Sequence, residues 1–308
     1  MRPRIGKVKY NRQTVVTDRP KITTIDIILG GLIGAAAVFI AYRVSIGLNY
    51  TWNWGALPQY FIRFDPDTRQ WVSNILLQGF LTTIRLSIWA TLLATLIGVA
   101  MGMLRVSQSL FKRLLAGSYV ELTRNLPPLV LIFIFYFFVS DQILPALGVE
   151  AFIRSRSEST QALMTYLFAA PPLFSAFLSA LITLSIFEGA YMAEIVRAGI
   201  QSIEKGQWEA ADALGLSRWH RMRLIILPQA IQRILPPLAG QFISTIKDSA
   251  IVSVISIQEL TFQGMELMAT TYFTFEIWII ITIMYLILTL TCSLGVAKLE
   301  NTLGKKTA

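Results

Sequence analysis

Residues 209–228 read EAADALGLSRWHRMRLIILP, and the rest of the chain is read from them. Glu209, Ala210 and Ala211 are followed by Gly215, then by Ile225, Leu227 and Pro228 at fixed distances. The stretch is polar and basic, yet it lies between strongly apolar runs. A soluble-looking helix and loop in that setting points to an element that docks on something outside a bilayer.

The flanking composition supports the bilayer. The chain has 308 residues, of which 54% are hydrophobic and 15% charged, and its mean hydropathy is +0.58. A soluble domain carries about 25% charged residues. Several apolar runs approach or exceed the roughly 20 residues that cross a membrane. The expected fold is all-α, a polytopic membrane helix bundle with about six transmembrane helices. Their expected positions are residues 25–44, 75–104, 129–147, 173–195, 225–246 and 273–297.

The net charge of +9 sits in loops and tails between these runs. That is the placement of the positive-inside rule and argues against a nucleic-acid partner. Basic residues of segment 1–24, of the loop after residue 104, of residues 199–224 and of tail 301–308 put both termini in the cytoplasm. Residues 25–47 form an additional first helix, which reads as an uncleaved signal anchor. Trp52, Trp54, Tyr60, Phe61 and Trp71 read as an aromatic belt on the outer face. The lone cysteine, Cys292, reads as a small buried apolar side chain, and the lone histidine, His220, as a solvated or lipid-surface one without a metal role.

No phosphate loop, H-E-x-x-H, G-x-S-x-G or paired-cysteine motif occurs, so no catalytic residue, metal site or bound cofactor is expected on this chain. Transport must then be driven by an ion gradient or by a separate subunit. The polar segment bears on that choice. It predicts a short helix over residues 207–214, kept slim by Ala210, Ala211 and Ala213 and broken at Gly215, which can take positive φ. Glu209 in its first turn suits the positive end of the helix dipole. Two readings fit these features: a docking helix for a partner, or an amphipathic loop helix on the membrane surface.

Intramembrane polar residues give the pathway candidates. Gln241, Ser244, Thr245 and Asp248 fall on one helical stripe, as either a pathway face or an interhelical hydrogen-bonding seam. Arg85 and Glu188 are intramembrane ionisable groups. Arg85 either meets a substrate carboxylate or snorkels to the outer interface; Glu188 lines the pathway or pairs with a basic neighbour. Glu194 and Arg197, spaced i, i+3, read as a structural ion pair.

The pattern E-A-A-x-x-x-G, nine residues, then I-x-L-P resembles the signature of permease subunits of bacterial binding-protein-dependent ABC importers. Gly206-Gln-Trp-Glu-Ala-Ala, Leu227-Pro-Gln-Ala, Gly79-x-x-x-Thr83, Arg124-Asn-x-Pro-Pro and Gly189-Ala-Tyr-x-x-Glu194-x-x-Arg197 narrow it to the polar amino-acid, histidine/glutamine-type branch. The resemblance covers residues 75–300 and implies a type I permease domain. It further implies a second permease subunit, identical or different, two cytoplasmic ATPase subunits that hold ATP and Mg, and a periplasmic amino-acid-binding protein. Glu209, Ala210, Ala211, Leu214 and Gly215 would form the coupling helix seated in an ATPase cleft. The implied location is the bacterial inner membrane. The chain departs from the family in its additional first helix and at Asp248 and Ala250, where Thr and Leu are commoner. A gradient-driven secondary amino-acid transporter is the alternative; it predicts inverted repeats with broken helices at matching positions, which the sequence lacks.

Overall fold

The computed structural model describes residues 23–47, 50–67 and 69–304. It divides into two units, residues 1–52 and 53–308. In the first unit, α1 spans Thr24–Gly47, and its apolar stretch, Thr24–Ile40, is shorter than the other candidate spans. Residues 1–22, which hold nearly all of the basic N-terminal segment, lie outside the described residues.

The second unit opens with a hairpin, β1 (Ile62–Asp65) and β2 (Gln70–Ser73), paired antiparallel with Phe64 opposite Trp71. This is a small departure from the all-α expectation. Trp54 and Trp71 are exposed, whereas Tyr60 and Phe61 pack against the core around Leu76 and Ile277. The aromatic segment is thus partly exposed and partly engaged in tertiary contact. The helices follow as α2 (Ile75–Arg105), α3 (Leu110–Asn125), α4 (Pro128–Phe138), a π-turn at Val139–Ile143, α5 (Leu144–Ala146), α6 (Val149–Arg154), α7 (Glu158–Leu167) and α8 (Phe174–Gln201). Then come α9 (Lys205–Ala213), α10 (Arg218–His220), a π-turn at Arg221–Ile226, α11 (Leu227–Asp248), a 3₁₀ segment at Ser249–Ile255, α12 (Leu260–Thr271) and α13 (Thr274–Gly304).

Four of these stretches are long and apolar enough to cross a membrane: 75–105, 171–201, 218–255 and 274–298. The count reaches five if α3 and α4, bent by 115° at their junction, form one broken span. The count of about six is not confirmed, since the apolar stretch of α1 is short and the run at 129–147 is broken; three details of the bundle differ from the expectation. The loop after residue 104 is the helix α3. The run at 129–147 is interrupted by the π-turn, so α4 is only 11 residues long. The fifth span begins at Arg218 rather than Ile225, because the basic residues Arg218, Arg221 and Arg223 are already helical. At the other end, α13 continues to Gly304, so helix occupies half of the segment expected as a C-terminal tail, and residues 305–308 are outside the described ones.

The bundle is built around α8, where 67% of the apolar window is buried, against 11% in α13. In lipid there is no hydrophobic drive between helices, so close packing through small residues must supply the adhesion. The buried face of α2 is such a stripe: Gly79, Thr83, Ser87, Ala90, Ala94, Gly98 and Gly102. A Cβ at Gly98 would lie 2.5 Å from the Met192 Cβ, and one at Gly102 would lie 2.7 Å from the Val196 Cβ. Gly98→Leu should therefore wedge α2 off α8. Overpacking costs about 1–3 kcal/mol, and the expected result is a lower unfolding temperature in detergent with reduced membrane abundance. A wild-type unfolding temperature would show that the two helices do not meet there.

Glu259, fully buried, fastens three helices. It accepts the N–H groups of Thr261 and Phe262 at 2.9 and 2.7 Å, the Tyr285 hydroxyl at 2.8 Å and the Thr83 hydroxyl at 3.4 Å. The α12 N-terminus is thereby capped and tied to both α2 and α13.

Candidate functional site

The polar segment folds as a free-standing helix, α9, between two spans. Its start is extended by two residues relative to the sequence expectation. Its end is a Schellman motif: the Leu216 N–H donates to the Ala211 carbonyl at 3.2 Å and the Gly215 N–H to the Asp212 carbonyl at 3.0 Å. Gly215 takes φ +68°, the left-handed conformation that glycine accepts without strain.

Two faces result. Ala211 is buried, while Glu209, Ala210, Ala213, Leu214 and Gly215 are exposed. Leu214 is 76% exposed, an apolar knob at the helix end with nothing of its own chain to cover it. The inner face is braced to the start of the next span. Arg221 pairs with Asp212 and lies over the Trp208 ring, 5.3 Å from its centroid. Gln229 Nε2 donates to Gln207 Oε1 at 3.1 Å. Arg233 of α11 donates to the carbonyl of Ser202, the C-cap residue of α8, and, at 3.3 Å, to its hydroxyl, tying together the spans on either side of α9. Sequence reasoning missed these braces, because partners 9, 22 and 31 residues apart have no local periodicity.

The pathway candidates separate into two places. Glu188 is fully buried on α8, and its Oε2 accepts from Gln241 Nε2 at 2.7 Å, so Gln241 does face it. Its Oε1 has no hydrogen-bond partner. Asp248 is near enough for the two carboxylates to interact electrostatically. Thr245 is buried beside them, but its hydroxyl donates to the Gln241 carbonyl of its own helix at 3.0 Å. Ser244 is half-buried on the same helix. No basic group pairs with Glu188 among the described residues.

Arg85 is elsewhere. Its Nη1 reaches the carbonyls of Thr165 and Phe168 at 3.3 and 3.5 Å, at the C-terminal end of α7. It lines a cavity of about 180 Å³ that also touches Phe177 of α8. Phe177 and Glu188 are 11 residues apart on one helix, which at 1.5 Å per residue is about 17 Å.

Glu194 and Arg197 are paired, with both Glu194 oxygens 3.0 Å from Arg197 Nε. Arg105 joins them at 2.6 Å and reaches Glu121 at 3.4 Å, so the pair extends into a network linking α2, α3 and α8. His220 is exposed and its Nδ1 is 2.7 Å from the Ser217 hydroxyl. Cys292 is half-buried rather than buried, because α13 presents much of its surface outward.

The helix pattern and the exposed α9 fit one family. Residues 94–304 match the family model described as the binding-protein-dependent transport system inner membrane component. The chain belongs to this family. The inner membrane component is similar to the glutamine transport system permease protein GlnP of Escherichia coli (strain K12), 44% identical over 154 residues, which are 48% of this chain and 70% of that one. It is 31% identical over 241 residues to the glutamate/aspartate import permease protein GltJ of the same strain, covering 78% of this chain and 90% of that one. Among solved structures it resembles the crystal structure of an amino acid ABC transporter with histidines, at TM-score 0.62 and 31% identity, covering 82% of this chain and all of that one. The type I ABC permease fold and the role of a permease component in ABC import therefore stand. The gradient-driven alternative finds no support in these relatives.

Proposed function

We propose that the chain carries polar amino acids from the periplasm to the cytoplasm as the membrane subunit of an ATP-driven importer. The observation that carries this reading is α9: a capped, solvent-facing helix between two spans, with Glu209, Ala210, Leu214 and Gly215 outward and Ala211 inward. In this reading ATP and Mg are held by two partner ATPases, and this chain needs no cofactor of its own. A second permease subunit completes the passage, and a periplasmic binding protein delivers the amino acid. The chain lies in the inner membrane with both termini in the cytoplasm.

Energy enters by mechanics. An ATPase cleft that moves takes α9 with it as a rigid body. The Trp208–Arg221–Asp212 brace and the Gln207–Gln229 bond hand that motion to the long helix that continues into α11. That helix bears Gln241, Ser244, Thr245 and Asp248, so movement of α9 shifts the groups that face Glu188. In the same reading the Glu188–Asp248 pair receives the ammonium that every amino acid carries, since two close carboxylates are relieved by a cation between them.

The test is purification of the tagged full chain from native membranes in mild detergent, followed by reconstitution. An ATPase that co-purifies, together with amino-acid uptake that needs ATP, is the expected result. Uptake by the chain alone, driven by a proton or sodium gradient, would overturn the reading.

A further inference from the structure

The Arg85 cavity lies apart from the Glu188 group and has its own chemistry. Gln78, Thr82 and Arg85 line it from one face of α2, spaced i, i+4 and i+7. Thr165 contributes from the end of α7, and Ser256 and Gln258 from the segment before α12. Its volume of about 180 Å³ leaves room for a small polar solute. Guanidinium has five N–H donors in a planar fork. Arg85 uses only Nη1, in two long bonds to neutral carbonyls, and no carboxylate lies within ion-pairing distance of it among the described residues. A half-buried, unneutralised cation facing a polar cavity attracts an anion, and a fork geometry suits a carboxylate held bidentately.

A purely structural role is the competing explanation. Cations do stabilise helix C-termini, and Arg85 reaches that end of α7. Yet α7 is already held there by Trp89, whose Nε1 donates to the Leu167 carbonyl at 3.0 Å, shorter than either Arg85 bond. The geometry points to Arg85, with Thr82 and Gln78, as a carboxylate-binding station at the end of the bundle that the import reading makes the outer one; Phe177, which lines the same cavity, lies about 17 Å from Glu188 along α8. Resting on the amino-acid import reading, this gives the substrate two separate stations: its carboxylate is met first at Arg85, and its ammonium later at Glu188 and Asp248. Recognition at the first station is indifferent to the side chain.

Site-directed labelling tests this without ATP or uptake, so its failure stays distinct from failure of the import reading. In the full chain with Cys292→Ala and Ala176→Cys, a position that lines the cavity without belonging to the proposed station, purified with its accompanying subunits, alkyl methanethiosulfonates of opposite charge are compared. The sulfonate reagent is expected to react about tenfold faster than the trimethylammonium one, and Arg85→Gln should erase that preference. L-glutamine and L-glutamate should slow the labelling; L-glutaminamide, which lacks the carboxylate, should not. Trp89→Phe, which weakens the tie to α7 and leaves the cation, should keep the preference. Equal rates for the two reagents, or equal protection by the amide, would overturn the proposal. So would loss of the preference in Trp89→Phe, which would make Arg85 a cap for α7 only.

Discussion

Replacing Gly215 by Trp should abolish ATP-driven uptake while leaving the protein in the membrane at near wild-type level. The backbone at this position has φ +68°, and a residue with a Cβ is disfavoured there by about 1–2 kcal/mol. That cost is local. An added Cβ meets nothing within 4 Å, so no packing inside the bundle is disturbed. What changes is the exposed end of α9, where an indole would stand beside Leu214 and block the seat of any cleft that closes over the helix. The expected loss of uptake is about a hundredfold, which at 1.4 kcal/mol per tenfold corresponds to about 3 kcal/mol of lost docking or coupling. Gly215→Ala separates strain from bulk. It carries the same backbone penalty with a small side chain, and its uptake should remain within about threefold of wild type. Uptake that is unchanged in Gly215→Trp would remove α9 from the coupling path. Uptake equally lost in both variants would trace the effect to the turn rather than to the seat.

The contrast between α9 and Arg221 shows what sequence can and cannot reveal. The helix was legible because its signals are local: a polar run between apolar ones, three alanines, and a glycine where the chain must reverse. The spacing from Glu209 to Pro228 reports the same segment. The face it presents was not legible, since Ala211 is buried in the fold while Ala210 and Ala213 beside it are exposed, and the Arg221–Trp208 contact joins residues 13 apart. The spans show the same division. Hydropathy located the four long ones, but not the π-turn at Val139–Ile143 or the 115° bend before Pro128. The bend lies where Leu126 and Pro127 leave the helical conformation before Pro128, a local break that the proline pair signals without giving its angle, whereas apolar runs look alike with or without a π-turn. Among the pathway candidates, helical period placed Gln241, Ser244, Thr245 and Asp248 on one stripe of α11. It gave no hint that Glu188 faces them and that Arg85 does not, because that requires the crossing of α8 with α11.

Glu188→Gln should stabilise the protein and cripple it. The wild-type carboxylate is fully buried, with one oxygen bonded to Gln241 and the other without a partner. A buried polar group left unsatisfied costs about 1–3 kcal/mol, more when charged. The amide keeps an acceptor for Gln241 Nε2 and offers a donor toward Asp248 in place of a second negative charge. The unfolding temperature in detergent should therefore stay level or rise. A site that holds a group at a cost in stability does so for what the group binds. If the Glu188–Asp248 pair receives the substrate ammonium, removing one charge should lower ATP-driven uptake by about tenfold or more, since hydrogen bonds to charged groups are worth about 1.5–3 kcal/mol. Glu188→Asp, which keeps the charge on a shorter arm, should lose less. ATP hydrolysis by the assembled complex should persist in both, because α9 is untouched. A destabilised Glu188→Gln protein with undiminished uptake would make Glu188 a packing residue and move the ammonium site elsewhere along α11. A stabilised protein with lost uptake would leave the pathway as the one physical reason for a carboxylate at this depth.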